Sequence, residues 1–162
     1  MEEQIMNMPA VALRGLTILP GMIAHFDISR ERSLRAVEEA MEQDQKIYLV
    51  TQRNVDSEDP TQEDLYQMGI VADIKQVVRL QNDVVRILVD GISRAALLGF
   101  TDNEKYLEAE ICYCDSNADS LPEDLREAML LGVREAFHRY AAVVGKISKE
   151  LIRQIDQYED LE

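Results

Sequence analysis

Ile70-Val71-Ala72-Asp73-Ile74-Lys75-Gln76-Val77-Val78-Arg79-Leu80-Gln81-Asn82-Asp83-Val84-Val85-Arg86-Ile87-Leu88-Val89-Asp90 is the stretch that decides the fold class. Apolar residues alternate along its first limb, at Ile70, Ala72, Ile74, Val78 and Leu80, with one break at Gln76. They alternate again along the second limb, at Val85, Ile87 and Val89. A period of two marks strands with one buried face. Gln81-Asn82-Asp83 lies between the limbs and reads as a hairpin turn, since Asn and Asp tolerate the left-handed backbone. Gly91 follows inside a longer strand-like run and marks a bulge or bend.

The same alternation extends in both directions. Met22, Ala24, Phe26 and Ile28 form one apolar face, with His25 and Asp27 on the other. Leu107, Ala109, Ile111 and Tyr113 oppose Glu108 and Glu110. Lys46 to Gln52 reads as one more strand. A helix from about Glu31 to Gln43 interrupts the strands, with Leu34, Val37 and Met41 on one face and Ser29 as its better cap. Asn54 to Asp64 carries five acidic residues, Asp56, Glu58, Asp59, Glu63 and Asp64, and reads as a surface loop. Half-buried strands of this kind suit an antiparallel or mixed sheet curled into a barrel-like shape.

Beyond the small polar stretch Asp115-Ser116-Asn117-Ala118-Asp119-Ser120 the period changes to that of a helix. Ser120-Leu121-Pro122-Glu123 fits a capping box. Leu125, Met129, Val133, Phe137 and Tyr140 then form a stripe, and Gly145 is a stop. A second helix starts near Ser148, where Leu151, Ile155 and Tyr158 repeat like a seam between helices. The pattern runs on to the end of the chain, which predicts that the natural protein continues. The expected organisation is a β-rich part over 1–115, a linker over 116–122 and a helical extension over 123–162.

Composition narrows the partners. The 162 residues include 31 Asp and Glu against 17 Lys and Arg, a net charge of −14. Phosphate backbones and anionic membranes are held by clustered Lys and Arg, so nucleic acid and membrane are not expected partners. No run approaches the ~18 apolar residues of a membrane span, and the acidic start Met1-Glu2-Glu3 is unlike a secretion signal. Cys112 and Cys114, two apart on a strand, are poorly placed to bridge each other. Free thiols without an export signal point to the cytoplasm.

No constellation for catalysis stands out. Glycine-rich phosphate loops are missing from the sequence. His25 beside Asp27 reads as a solvated pair, and Cys112 and Cys114 offer two of the four ligands that a closed zinc site needs. What remains is surface. Ile18-Leu19-Pro20-Gly21-Met22 is an apolar turn that would present Leu19 and Met22 near a sheet edge, unless both fold into the core. Arg30, Glu31 and Arg32, with Arg35 one turn on, form a positive spot on a negative protein; the alternative is a salt-bridge cluster at a helix start.

An ordered set of short blocks resembles the N-terminal region of the ATP-dependent Lon protease family. The blocks are Pro9-Ala10-Val11-Ala12-Leu13-Arg14, Leu19-Pro20-Gly21-Met22, Ser29-Arg30-Glu31-Arg32-Ser33 and Ala36 to Met41. Asp64-Leu65-Tyr66-Gln67-Met68-Gly69-Ile70-Val71-Ala72, Val89-Asp90-Gly91-Ile92-Ser93-Arg94-Ala95 and Lys146-Ile147-Ser148 complete the set. Ser29 and Arg32 depart from the Gly-Arg-Glu-Lys pattern frequent in the family, keeping the charge but altering a contact residue.

The resemblance implies an α+β fold: a PUA-like β pseudo-barrel with one inserted helix, followed by a C-terminal helical extension. It also implies a substrate-recognition module that binds unfolded, damaged or degron-bearing proteins and supports hexamer assembly with other Lon subunits. ATP and Mg would be bound only in an ATPase domain, and cleavage would belong to a Ser-Lys protease domain; neither lies within these residues. The candidate contact residues are Leu19, Pro20, Met22, Arg30, Glu31, Arg32 and Arg35 for substrate. Leu151, Ile155 and Tyr158 are the candidates for contacts with further helices or subunits. A stand-alone adaptor with the same fold is the alternative.

Overall fold

The 70–90 stretch folds as a hairpin, with Asn82 and Asp83 at φ 60° and 56° in its turn. The computed structural model describes residues 5–114 and 121–159. The chain forms two compact units that divide after Cys114.

The first unit runs β1 (Ile5–Leu13), β2 (Ile23–Ile28), α1 (Glu31–Glu42), β3 (Lys46–Thr51), β4 (Met68–Arg79), β5 (Val85–Phe100) and β6 (Glu108–Tyr113). The strands form one mixed sheet in the order β2-β5-β4-β3-β1-β6, and β6 also pairs with β5. That last pairing closes β5, β4, β3, β1 and β6 into a ring, with β2 added to β5 outside it. Among the described residues only β1 and β3 run parallel. Residues 5–9 of β1 pair with β6 and residues 10–13 with β3. Pro9, which has no N–H to give, sits at that handover.

Alternation along the shared strands feeds two cores. Ala10, Tyr48, Val71, Ala95 and Ile111, one from each ring strand, belong to the cluster that fills the barrel. The neighbouring residues Val11, Leu49, Ile70, Ala72 and Ile74 face the other way, into a cluster with Val37 of α1 and Ile87 and Val89 of β5. β1, β3 and β4 are therefore covered on both faces, which explains their nearly continuous apolar runs.

Tyr48 is the largest fully buried side chain, and its hydroxyl donates to the Ala95 carbonyl at 3.0 Å. Burial pushes its phenol far above the usual range, so it stays neutral and a donor. Its ring occupies the space beside Gly69. A Cβ there would overlap the Tyr48 ring and lie 2.6 Å from the Leu49 carbonyl oxygen.

Several local expectations change. β4 keeps its period only to Ile74; the register with β5 then slips, leaving Lys75 as an extra residue. A bulge reverses the faces beyond it. Val77 therefore packs against the core, while Val78 and Leu80 are exposed. A second slip, between Val71 and Ala72, leaves Ile92 of β5 opposite no partner next to Gly91. In α1 the buried stripe is Ser33, Ala36, Val37 and Ala40, and Met41 is exposed. Small residues let the helix lie close against the sheet. Arg30, not Ser29, is the cap residue, and no side chain caps α1. The 54–64 segment is fastened rather than a free surface loop. Its Ser57 carbonyl accepts from Arg14, Arg30 and Gln52, and Thr61 and Asp64 form a capping box around a single 3-10 turn.

The second unit holds α2 (Glu123–Val144) and α3 (Lys149–Gln157). Ser120 of the expected capping box lies outside the described residues; the cap residue of α2 is Pro122, with no side-chain cap. Gly145 ends α2 in the left-handed conformation. Ser148 caps α3, accepting from the Leu151 amide at 3.1 Å. The helices are joined by His138 Nε2 to Asp156 Oδ1 at 2.8 Å and by the Arg134 guanidinium donating to the Tyr158 carbonyl. The stripe of α2 is largely open: Leu125, Met129, Val133 and Tyr140 are exposed. No helix among the described residues is long and apolar enough to cross a membrane.

Candidate functional site

Leu19-Pro20-Gly21-Met22 forms a tight turn, with the Met22 amide donating to the Leu19 carbonyl at 3.1 Å and Gly21 at φ 73°. Pro at the second position and a positive φ at the third define a type II turn. The turn is docked on β5. The Gly21 amide donates to the Gly91 carbonyl at 2.7 Å, and the Gly91 amide to the Met22 carbonyl at 2.9 Å. A Cβ on Gly91 would run into the Leu19 carbonyl. Gly91→Ala is expected to lift the turn from β5 and cost about 2 kcal/mol, read as a shifted urea midpoint.

Ile18 anchors the turn in the core, while Leu19 is 59% exposed and Met22 37%. Neither folds back. The preceding loop is tied to β3 by Thr51 Oγ1, which donates to the Leu16 carbonyl at 2.9 Å and lies 3.0 Å from Thr17 Oγ1.

Beside the turn is a groove of about 510 Å³, lined by Leu19, Thr51, Arg53, Tyr66, Met68 and Arg94 among others. Tyr66 and Met68 are about half exposed. The Arg53 guanidinium lies 5.2 Å from the centre of the Tyr66 ring, and its Nε donates to the Leu65 carbonyl at 2.9 Å. Leucine, methionine and tyrosine offer deformable apolar and aromatic contacts. The two guanidiniums add donors for carbonyl or carboxylate oxygens. The arrangement suits a short, extended, mostly apolar segment of polypeptide.

The arginines named from the sequence sit elsewhere and have internal partners. Arg30 Nη2 donates to Gln52 Oε1 at 2.9 Å and to the Ser57 carbonyl at 3.0 Å. Burial, then the neighbouring Arg14, pulls Arg30 below the usual guanidinium range, opposed by Asp59 and Glu58. Arg32 reaches Asp59 and the Asn103 carbonyl, each at 3.4 Å. Arg35 pairs with Glu31 along α1. Leu19, Pro20 and Met22 are thus brought together in one turn, of which Leu19 lines the groove, and Arg30 lines a different pocket. Leu151 and Ile155 lie in α3 of the second unit, and Tyr158 is the residue that caps its end. Leu151 and Tyr158 are exposed, and Ile155 is half-buried.

Sequence reasoning missed Arg53, Tyr66, Met68 and Arg94. Tyr66 and Met68 stand in the Asp64–Ala72 block already quoted, but nothing in their spacing shows that they meet Leu19. His25 neighbours Asp27 without a hydrogen bond to it; Arg86 grips Asp27 through two bonds of 2.6 and 2.8 Å. Its hydrogen bond holds the Asp27 carboxyl below the usual range. Cys112 and Cys114 form no disulfide with each other. Among the described residues no group of three His, Cys, Asp or Glu is placed to hold a metal ion.

The chain's sequence defines a substrate-binding domain of ATP-dependent proteases. Residues 7–162 match the family model for the ATP-dependent protease La (LON) substrate-binding domain. The chain belongs to that family. It is 37% identical over 162 residues to the Lon protease of Lachnoclostridium phytofermentans, covering 100% of this chain and 20% of that protein. It is 31% identical over 159 residues to Lon protease 1 of Bacillus subtilis, covering 98% of this chain and 20% of that one. The chain therefore spans about a fifth of the length of these relatives. Among solved structures, the N-terminal domain of Mycobacterium avium complex Lon protease superposes with a TM-score of 0.69 at 16% identity. That alignment covers 96% of this chain and 77% of that one. A Lon N-terminal domain protein from Xanthomonas campestris gives 0.56 at 17%, covering 96% and 92%. These likenesses confirm the α+β fold.

Proposed function

We propose that this chain is the substrate-recruiting part of a larger ATP-dependent Lon protease, and that the Leu19–Met22 turn and its neighbouring groove hold apolar stretches of unfolded or damaged proteins. The observation that carries the reading is the gathering of exposed Leu19, Tyr66 and Met68 around one groove in a substrate-binding domain. Folded proteins bury such stretches, so the groove selects chains that have lost their structure. Each contact is small. In a hexamer, six copies would raise the effective concentration around a captured chain. ATP and Mg would bind, and a Ser-Lys centre would cut, in the parts of the protein beyond this chain. Leu151, Ile155 and Tyr158 would pack against further helices or a neighbouring subunit. The protein would work in the cytoplasm, and its strong negative charge makes nucleic acid a poor partner for this domain.

Burying a Leu or Met side chain is worth about 1.5–3 kcal/mol. The double variant Leu19→Asp with Met22→Asp is therefore expected to weaken capture of unfolded casein by at least about tenfold. The measurement is casein binding and degradation by the whole protease, with hydrolysis of a short peptide and the unfolding temperature of this domain as controls. Unchanged casein capture with a folded domain overturns the assignment of the turn.

A further inference from the structure

A second pocket, of about 450 Å³, opens where the end of β1 meets the start of α1. It shares no lining residue with the groove described above. Its polar wall is Arg14, Ser29, Arg30 and Ser33, and its apolar wall includes Leu16 and Phe26. Three features of that wall point the same way.

Two guanidiniums converge there. Arg14 Nη2 and Arg30 Nη2 donate to the same Ser57 carbonyl oxygen, both at 3.0 Å. Two cations sharing one neutral acceptor repel, and an anion between them would relieve that repulsion. Most of the N–H groups on the two forks remain available. The start of α1 is the second feature. It has no side-chain cap, so the first-turn amides of Glu31, Arg32 and Ser33 point outward with the positive end of the helix dipole behind them. The third is Ser33, which is 4% exposed and lines the pocket, where its hydroxyl can serve a guest. Of the two carboxylates at the pocket, Glu58 offsets part of the repulsion on Arg30, as does neighbouring Asp59. Asp27 is held by Arg86, and Glu58 lies on the exposed 54–64 segment.

We infer that the pocket between Arg14, Arg30 and Ser33 at the start of α1 binds an oxyanion group, with an apolar substituent resting on Leu16 and Phe26. Carboxylate and phosphate share this chemistry: both accept bidentate hydrogen bonds from arginine and single bonds from helix amides and a hydroxyl. The group can arrive as free phosphate or as the terminal carboxylate of a polypeptide. The volume admits either, and the apolar wall adds contact only for the second.

The test is amide and arginine-side-chain NMR on the isotopically labelled 162-residue chain. One arm adds inorganic phosphate, with sodium chloride at matched ionic strength as control. The other adds a short peptide ending in leucine, as free acid and as amide. Saturable shifts of the Glu31, Arg32 and Ser33 amides and of the Arg14 and Arg30 Nε resonances are expected with phosphate, with the free acid, or with both, and not with chloride or the amide. Whichever arm responds identifies the source. Arg14→Gln leaves the Arg30 contacts in place, and Ser33→Ala removes only the hydroxyl. Each is expected to weaken binding about tenfold, the loss of one charge-assisted hydrogen bond. If neither anion gives saturable shifts in the folded chain, or if both variants bind as tightly as the parent, the inference is wrong.

Discussion

Gly69→Ala is expected to destabilise the first unit by about 3 kcal/mol, at the upper end of overpacking costs. The added methyl has nowhere to go. On one side is the Tyr48 ring, which fills the barrel and is held by the Ala95 carbonyl. On the other is the Leu49 carbonyl oxygen, which is backbone of the paired strand and cannot swing away. Relief requires that β3 and β4 separate or that Tyr48 abandon its rotamer and its hydrogen bond. A urea titration would show the loss as a lower midpoint with an unchanged slope. Tyr48→Phe in the same background would relieve only the part of the overlap that involves the hydroxyl, so partial rescue by that second substitution is the signature of this mechanism. A Gly69→Ala chain with the parental midpoint would mean that the barrel interior is far less tightly packed around Tyr48.

Arg30→Glu is expected to cost a similar amount, about 3 kcal/mol, through polar groups rather than through packing. The substitution removes both bonds that tie α1 to Gln52 and Ser57. Gln52 is 2% exposed, so its Oε1 would lose a partner in a place water barely reaches. The new carboxylate would also face the acceptor oxygens and lie close to Glu58 and Asp59. Besides a lower unfolding midpoint, limited proteolysis should cut the 54–61 segment much faster in the variant. A parental midpoint together with a protected segment would show that the Ser57 cluster contributes nothing. From sequence alone, Arg30→Glu reads as a variant that weakens capture while leaving the fold intact. The structure gives Arg30 a fastening role, so Leu19 and Met22 are the better probes of capture.

Both the legible and the illegible features follow from the range over which residues interact. Strand alternation is local, so the 70–90 hairpin, the strand at 107–113 and the Gly91 bend could be read directly. The bulge at Lys75 could not, because a one-residue slip depends on where β5 lies. It left a trace in the break at Gln76 and transferred burial from Val78 to Val77. Ring closure joins residue 5 to residue 112, a distance at which periodicity carries no information. At the site, the Pro-Gly turn was visible because a type II turn is written in two adjacent residues. Its groove was not, because Arg53, Tyr66, Met68 and Arg94 meet only after β3, β4 and β5 are paired. The arginine cluster illustrates the opposite error. A local concentration of charge looks like surface until the carbonyl it serves, at Ser57, arrives from a distant loop.

The way β1 divides its pairing also sets a timetable for synthesis. Residues 10–13 find their partner once residues 48–51 have been made. Residues 5–9, with exposed Ile5 and Met6 among them, must wait for residues 108–112. At roughly 5–20 residues per second, about 100 further residues take on the order of 5–20 s to appear. For that interval the start of β1 has an open edge, the condition under which chains pair with the wrong neighbour. A domain whose family binds protease substrates thus begins its own life with an unfinished strand on view.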